Sequence, residues 1–227
     1  MLQALLFDLD GTLTHTDAIH FRTWQRVLSA FGLEIDQAFY DQHFSGRLNE
    51  AIVAEVLPQL SAEAGRKLSW EKEAEFRRQA AGALQPLAGL LDLLQWAASQ
   101  QLKTAVVTNA PVENAEFMLR VLGLGDRFET VVIAEQLERG KPDPLPYQTA
   151  LKRLGVAAQA AIAFEDSPSG IRSAVRAGIL TVGMATTHPA ATLQTDGAKL
   201  VIQDFADPRL DELLKFSFKQ TVPVLRD

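Results

Sequence analysis

The sequence predicts an α/β protein, in which a Rossmann-like parallel sheet is flanked by helices and interrupted by an all-helical insertion. Short aliphatic or β-branched runs alternate with helical patterns beyond residue 89, as buried parallel strands and their crossover helices do. A similar run lies near the start of the sequence, whereas residues 15–82 require no strand. We therefore predict a discontinuous α/β core of residues 1–14 and 83–227, with a helical domain of residues 15–82 between its two parts.

The first predicted strand is an apolar run that begins at Leu5 and leads into the sequence Asp8-Leu9-Asp10-Gly11. If the strand ends at Asp8 and the chain turns there, the carboxyl groups of Asp8 and Asp10 can flank one pocket with different roles. Two such carboxylates repel each other unless a hard cation lies between them, and carboxylate oxygens suit Mg2+. A surface turn after a buried strand is the alternative, because Asp-Gly is common in turns.

An amphipathic helix is predicted after this turn, because apolar side chains recur at helical spacing and Gly32 follows them as a stop signal. The last helical stretch of the insertion is rich in Glu, Lys, Arg and Ala, which is typical of an exposed helix. The apolar face of the first helix is predicted to contain Phe21, Trp24, Leu28 and Phe31, and the further helices to cover residues 35–44, 47–57 and 62–81.

The later strands are short apolar runs that lie between helical patterns. Glycines mark the predicted ends of the intervening helices, and two prolines stand where the first turn of a helix accepts them. The predicted strands are residues 104–107, 130–134, 160–164 and 180–184, with a possible edge strand at 200–202; the glycines are Gly123, Gly155 and Gly178, and the prolines are Pro146 and Pro168.

Polar residues follow several of these strands, and right-handed crossovers place all carboxyl ends of parallel strands on one edge of a sheet. Asp8 follows the first strand, Thr108-Asn109 the second and Glu165-Asp166 the fourth. Lys141 lies in the loop Gly140-Lys141-Pro142-Asp143-Pro144, where the paired prolines would hold it in a fixed direction. Acid pairs, a hydroxyl and a lysine at one edge meet the needs of phosphoryl transfer.

These residues resemble the motifs of the haloacid dehalogenase superfamily of phosphohydrolases, in the expected order and across essentially the whole chain. The segments around Lys141 and Glu165 look like the β-phosphoglucomutase-like and phosphoglycolate phosphatase-like branch. The resemblance implies that the helical insertion is a cap domain that closes over the site. The four motifs are Asp8-Leu9-Asp10-Gly11-Thr12, Thr108-Asn109, Lys141 and Glu165-Asp166.

The resemblance also implies catalytic roles. Asp8 would attack phosphorus to form an aspartyl phosphate, which divides a difficult hydrolysis into two steps. Asp10 would protonate the leaving oxygen and later deprotonate water. Thr108 and Lys141 would hold the oxygens of the transferring group, together with backbone N–H groups after Asp8.

The cofactor implied by the resemblance is Mg2+. The Asp8 and Asp166 carboxylates and the Asp10 backbone carbonyl would hold it, with Glu165 nearby or in an outer position. The implied partner is a small phosphorylated substrate, and Gly11 leaves room for its close approach. Taken alone, each of these residues has an ordinary structural explanation, such as a solvated cation for Lys141 or a helix cap for the segment before Pro168.

Further substrate contacts are implied for residues of the insertion and of the loop after the second strand. A histidine or an arginine on a helix is, about as often, only a packing or solvated residue. The substrate-binding set implied by the resemblance is Gly11, Thr16, His20, Gly46, Arg47, Asn109 and Ala110.

The sequence departs from β-phosphoglucomutase within the insertion. Ser45 stands where that enzyme has a lysine, and Asn49 stands where it has the arginine that grips a second phosphate, although Arg47 could compensate in part. We therefore expect hydrolysis of a small phosphomonoester, such as a sugar phosphate or a phosphoglycolate-like compound. A sugar phosphomutase is the alternative, and a dehalogenase or a silent binding protein is less favoured.

Composition excludes several other functions. The net charge is −6 with no basic tract, which argues against nucleic-acid or anionic-membrane binding. The absence of cysteine excludes disulfides and thiolate chemistry. No signal peptide pattern occurs, and no apolar stretch approaches the roughly 18 residues of a membrane span. We expect a cytoplasmic protein that acts as a monomer.

Overall fold

A computed structural model describes residues 1–44 and 47–219, and within them the chain forms two compact units. The sheet unit combines Met1–Thr14 with the chain from Pro86 onward. The helical unit consists of His15–Gln85.

The sheet unit contains six strands within the described residues, and all of them are paired in parallel in the order β3-β2-β1-β4-β5-β6. This arrangement places β1 at the centre, with β2 on one side and β4 on the other. The strands are β1 (Ala4–Phe7), β2 (Lys103–Thr108), β3 (Thr130–Ile133), β4 (Ala161–Glu165), β5 (Leu180–Met184) and β6 (Leu200–Ile202). The predicted parallel α/β fold is therefore confirmed.

The α-helices of the described residues divide between the two units. The helical unit contains α1 (Asp17–Ser29), α2 (Gln37–His43), α3 (Asn49–Val56) and α4 (Ala62–Ala80). The sheet unit contains α5 (Leu90–Ser99), α6 (Val112–Val121), α7 (Leu145–Leu154), α8 (Pro168–Arg176), α9 (Ala190–Thr195) and α10 (Pro208–Lys219).

The central strand is buried on both faces, which is the reason for its continuous apolar sequence. Every residue of β1 is fully buried, and Leu5 pairs with Thr104 of β2 and with Ile162 of β4. The Phe7 ring stacks on the Phe164 ring with centroids 5.0 Å apart. This packing fixes the direction of β1 and therefore the point at which Asp8 leaves it.

One predicted face in the helical unit is wrong in part. Trp24 and Leu28 are buried as expected, but α1 ends at Ser29 and Phe31 is 40% exposed. Phe31 lies beyond the helix, in a turn that continues into Gly32 at a φ of 72°. The helix therefore ends two residues before Phe31, and the helical spacing no longer applies at that position.

The helical unit has its own apolar core, in which Trp24 contacts the Phe44 ring edge-on at a centroid distance of 5.2 Å. Ile52 and Val53 of α3 pack into the same cluster. Among the described helices, none combines the length and the apolar character that a membrane crossing requires.

Candidate active site

Several polar residues leave the sheet at its carboxyl edge. The Asp8 N–H donates to Phe164 O at 3.0 Å, which continues the pairing of β1 with β4 by one residue. Thr108 ends β2, and Glu165 ends β4 immediately before Asp166. Because neighbouring parallel strands end together, these residues lie at one edge of the sheet although they are far apart in the sequence.

Lys141 connects the ends of β1, β2 and β4. Its Nζ lies 2.6 Å from Asp8 Oδ1, 2.5 Å from Glu165 Oε1 and 2.7 Å from Val107 O. An ammonium group has three N–H donors, so these described acceptors use all of them. Lys141 is buried, and it therefore positions Asp8 rather than lying in solvent as an isolated loop lysine would.

The backbone of Lys141 is held by the side chain of Asn109. The Lys141 N–H donates to Asn109 Oδ1 at 3.0 Å, and Asn109 Nδ2 donates to Lys141 O at 3.2 Å. A Cβ at Gly140 would lie 2.9 Å from the same Asn109 oxygen, which is why that loop needs a glycine there. Asn109 thus fixes the loop that carries Lys141, a contact that sequence reasoning missed.

An acidic cluster surrounds this lysine. One carboxylate oxygen each of Asp8, Glu165 and Asp166 lie within 4.8 Å of one another, and each of these residues is buried. Gly11 lies against the cluster at a φ of 72°, and a Cβ there would overlap the Asp166 carboxyl group, so the position requires glycine. Hard oxygen donors in this arrangement fit a divalent cation such as Mg2+.

The negative charges of the carboxyl groups in this cluster are only partly balanced by the Lys141 ammonium. Burial raises the pKa of Asp8 to about 7; Lys141 acts against this rise, and Glu165 adds to it. Burial also raises the pKa of Asp166 well above its ordinary value, and the charges of Asp8 and Glu165 act in the same direction. Burial lowers the pKa of Lys141, but Asp8 and Glu165 outweigh this effect and raise it. A bound divalent cation would favour the ionised carboxylates.

Glu165 is held on more than one side. Its Oε1 accepts hydrogen bonds from Lys141 Nζ and, at 2.7 Å, from the Tyr147 hydroxyl. A Cβ at Gly170 would overlap the Glu165 carboxylate, and the Ser167 hydroxyl lies 3.4 Å from Oε2. Burial and the charge of Glu165 raise the pKa of Tyr147, so the phenol remains a donor. Sequence reasoning missed Tyr147, although it lies six residues after Lys141.

The loop after β5 adds two hydroxyl groups to the same edge. Thr186 Oγ1 donates to Gly11 O at 2.5 Å, and the Thr187 side chain hydrogen-bonds to the Asp166 carboxyl group. Both residues follow a predicted strand at the edge where the other polar residues lie, which is the sequence signal that could have identified them.

The turn after β2 begins at Thr108. The Ala110 N–H donates to Thr108 Oγ1 at 2.9 Å, and Thr108 is buried. Asp10 is partly buried and follows Asp8 by two residues, and its charge contributes to the raised pKa of Asp8 after larger effects of burial, Lys141 and Glu165. The structure therefore groups Asp8, Lys141, Glu165 and Asp166, with Asp10 near Asp8, and places Thr108 at the end of the neighbouring strand β2.

The helical unit contains a second polar cluster. Lys72 Nζ lies 2.8 Å from His20 Nδ1 and 2.8 Å from Glu73 Oε1, and Asn49 Nδ2 donates to that same oxygen at 2.5 Å. The His20 ring stacks on Phe76 at a centroid distance of 4.0 Å. The sequence analysis did not identify Lys72 and Glu73 as members of this polar cluster.

The remaining predicted residues of the helical unit have different surroundings. Thr16 directly precedes α1, and its carbonyl accepts the N–H groups of the first turn. Arg47 Nη1 lies 2.8 Å from Glu55 Oε2 and donates to His43 O at 2.8 Å. Gly46, together with Ser45, lies outside the described residues.

The sequence model of the family described as haloacid dehalogenase-like hydrolase matches residues 5–184. This match contains Asp8, Thr108, Lys141, Glu165 and Asp166, and so the whole acidic cluster with its lysine. The chain belongs to this family. The resemblance inferred from the motifs is thereby confirmed, and the protein is a hydrolase with phosphatases among its relatives.

Similarity to individual proteins supports the assignment of the chain to this family. The chain is 32% identical over 209 residues to the validoxylamine A 7'-phosphate phosphatase of Streptomyces hygroscopicus subsp. limoneus, which covers 92% of this chain and 97% of that protein. It is 26% identical to the β-phosphoglucomutase of Bacillus subtilis, over 98% of this chain and 100% of that enzyme. A crystal structure of a haloacid dehalogenase family hydrolase from Entamoeba histolytica aligns with a TM-score of 0.87 at 25% identity, covering 96% of this chain and all of that chain.

Proposed function

We propose that this haloacid dehalogenase-like hydrolase is a Mg2+-dependent phosphatase that acts on a small phosphomonoester through an aspartyl-phosphate intermediate. The observation that carries the proposal is the buried Asp8 carboxylate, held by Lys141 at the end of the central strand. A carboxylate fixed in this way is a nucleophile whose direction of attack is set before the substrate arrives.

Asp8 is the nucleophile of the proposed reaction. An Asp8 oxygen forms a bond to phosphorus while the bond from phosphorus to the ester oxygen breaks, and Asp10 gives its proton to that leaving oxygen. In the second half, Asp10 takes a proton from a water molecule as the water oxygen attacks the aspartyl phosphate. This step releases inorganic phosphate and returns Asp8 as a carboxylate and Asp10 in its protonated form.

The Asp8 and Asp166 carboxylates and the Asp10 backbone carbonyl are the groups we assign to Mg2+. When bound, the ion supplies positive charge that lets an anionic phosphate approach the anionic nucleophile. Thr187 orients Asp166 through its hydrogen bond, and Gly11 leaves space beside the same carboxyl group. Glu165 shares Oε1 with Lys141 and Tyr147, so we assign it to an outer, supporting position.

Two groups are proposed to bind the oxygens of the transferring phosphoryl group. Thr108 ends β2 with its hydroxyl close to the Ala110 N–H, in a turn whose backbone groups can donate further hydrogen bonds. Lys141 can contribute only if one of its three described acceptors is released, because those acceptors use its donors. We therefore assign Lys141 first to orienting Asp8 and second to stabilising the developing charge.

The substrate class is proposed to be a sugar phosphate or a similarly small phosphomonoester. The similarity to a validoxylamine A 7'-phosphate phosphatase and to a β-phosphoglucomutase supports a carbohydrate-like leaving group. The family resemblance implies Thr16, His20, Gly46 and Arg47 as residues that recognise this group.

Hydrolysis is favoured over the alternative, a sugar phosphomutase, by the surroundings of Asn49. The Asn49 amide donates to Glu73, whose carboxylate also pairs with Lys72. Because Asn49 is uncharged and its amide is already bonded to Glu73, it does not supply the cationic fork that would hold a second phosphate in a mutase. The similarity to a β-phosphoglucomutase is the observation that keeps the mutase as a second candidate.

The test is phosphate release from a panel of phosphomonoesters in the presence of Mg2+, including β-glucose 1-phosphate and phosphoglycolate. Asp8→Asn is the inactive control, and Asp126→Asn, at an exposed position, is the matched control for the substitution itself. Release that disappears only in Asp8→Asn supports the proposal. Conversion of β-glucose 1-phosphate to glucose 6-phosphate without release would establish the mutase instead.

A further inference from the structure

We propose that Tyr147 is a positioning residue for phosphoryl transfer, because its hydroxyl holds Glu165 so that the Lys141 ammonium remains shared between Glu165 and Asp8. This inference rests on the proposed function, since it assigns Asp8 to nucleophilic attack. The described contacts of Tyr147 with polar groups of the site are to Glu165 and Lys141, so its effect passes through these two residues.

A continuous series of short contacts connects the tyrosine to the nucleophile. The Tyr147 hydroxyl lies 2.7 Å from Glu165 Oε1, that oxygen lies 2.5 Å from Lys141 Nζ, and Nζ lies 2.6 Å from Asp8 Oδ1. All of these residues are buried, so water does not replace a contact that is lost. A change at the phenol therefore reaches Asp8 through defined neighbours.

The Tyr147 hydroxyl weakens the attraction of the Glu165 carboxylate for the Lys141 ammonium. Glu165 Oε1 accepts two hydrogen bonds, one from Tyr147 and one from Lys141. Without the phenol, Lys141 becomes the main donor to this oxygen, and the ammonium is drawn toward Glu165. Since the three donors of Lys141 already have acceptors, movement toward one lengthens the contact with Asp8.

The ring and the hydroxyl of Tyr147 have separable roles. The ring belongs to the apolar core that α7 forms with strands β1 to β4, and its centroid lies 5.4 Å from Lys141 Nζ. Phenylalanine keeps this packing and the cation–π contact but removes the donor to Glu165. Tyr147→Phe therefore tests the hydroxyl without removing the ring.

The sequence supplies a matched control, because Tyr40 and Tyr147 are its two tyrosines. The Tyr40 hydroxyl also donates to a carboxylate, Asp17 Oδ1 at 2.9 Å, within the helical unit. Tyr40→Phe thus removes the same type of hydrogen bond without altering the series that leads to Asp8. Thermal unfolding of both variants measures how much the loss of each hydrogen bond lowers the stability of the protein.

The first measurement is kcat and KM with Mg2+ and the best phosphomonoester of the panel. We expect Tyr147→Phe to lower kcat by about tenfold or more, with KM within about twofold, because a hydrogen bond to a charged group is lost while substrate contacts remain. Tyr40→Phe should keep kcat within about twofold even if its unfolding midpoint falls equally.

A second measurement does not depend on turnover. Wild-type protein labelled with 3-fluorotyrosine should give one 19F NMR signal for each tyrosine, which the two phenylalanine variants assign. Addition of Mg2+ and beryllofluoride, which mimics an aspartyl phosphate, changes the contact between Asp8 and Lys141. We expect the Tyr147 signal to move more than the Tyr40 signal.

The outcomes separate the two proposals. A wild-type enzyme that hydrolyses phosphomonoesters, together with a Tyr147→Phe variant whose kcat is within twofold, overturns the positioning role and leaves the phosphatase intact. A Tyr147 signal that does not respond to beryllofluoride in an active enzyme also overturns it. A wild-type protein without phosphatase activity or beryllofluoride binding overturns both proposals.

Discussion

Lys141 Nζ lies 2.6 Å from Asp8 Oδ1, although 133 positions separate the two residues in the sequence. The contact joins the end of the central strand to a loop whose backbone is clamped by Asn109. Because the loop is fixed at its backbone, the lysine reaches Asp8, the proposed nucleophile, from a defined direction. The proposed chemistry depends on this pair more than on any residue considered alone.

Replacement of Lys141 by alanine should lower the rate by about 100-fold or more. Electrostatic donors directed at a transition state contribute about 3 to 4 kcal/mol, and the substitution also leaves Asp8 and Glu165 without their shared cation. The measurement is kcat with saturating Mg2+, and Lys152→Ala on the exposed side of α7 is the control. A loss below about threefold would place Lys141 outside the catalytic machinery.

Asp10→Asn should block turnover while preserving the binding of a phosphate mimic. The amide cannot donate a proton as a carboxylic acid does, and general acid–base catalysis contributes about 10²- to 10⁴-fold. Phosphate release and beryllofluoride binding are measured on the same preparation. Wild-type turnover in this variant would show that another group moves the proton.

Asp166→Asn should weaken Mg2+ affinity by about tenfold or more, because it removes a carboxylate from the buried acidic cluster that we propose to hold the ion. A Mg2+ titration of phosphatase activity and calorimetry with the metal alone both report the change. Asp126→Asn supplies a control at an exposed carboxylate. Equal Mg2+ affinity in Asp166→Asn and the wild type would remove Asp166 from the proposed ligand set.

Gly170→Ala should destabilise the protein and reduce activity together. Alanine ordinarily stabilises a helix interior by about 1 kcal/mol relative to glycine, but here its Cβ would overlap the Glu165 carboxylate. Urea unfolding and kcat test this expectation. Gly125→Ala is the control, since a Cβ there meets no described atom within 4 Å. Greater stability of Gly170→Ala with full activity would show that Glu165 can move without consequence.

Glu73 should make stability depend on pH in the acidic range. Burial acts to raise its pKa, but Lys72 and His20 outweigh this and lower it from 4.5 to about 2. At pH values above the ordinary pKa of a glutamate, this lowered pKa stabilises the folded state by about 3 kcal/mol. The contribution is lost as the pH falls from about 5 toward 2.

Chemical unfolding of the wild type and Glu73→Gln at several pH values checks this expectation. The difference in unfolding free energy should be large at pH 7 and should shrink as the pH approaches 2. Glu71→Gln, at an exposed position of α4, should show little difference at any pH. A constant difference between wild type and Glu73→Gln would contradict the lowered pKa.

The sequence alone determined the order of strands and helices and the polar residues at the strand ends. These features depend on local periodicity, as in the fully apolar β1 that leads directly into Asp8. The same local reasoning placed Phe31 on a buried face, because spacing does not show that α1 has already ended at Ser29.

Only the tertiary structure decided which atoms these side chains contact. Asn109 clamps the Lys141 backbone, Tyr147 holds Glu165, and neither contact has a pattern within a few neighbouring residues. Each depends on how helices and loops pack against the sheet, which brings together groups from distant parts of the chain. Local propensity acts over a few residues, whereas a buried donor finds its acceptor only after the core has formed.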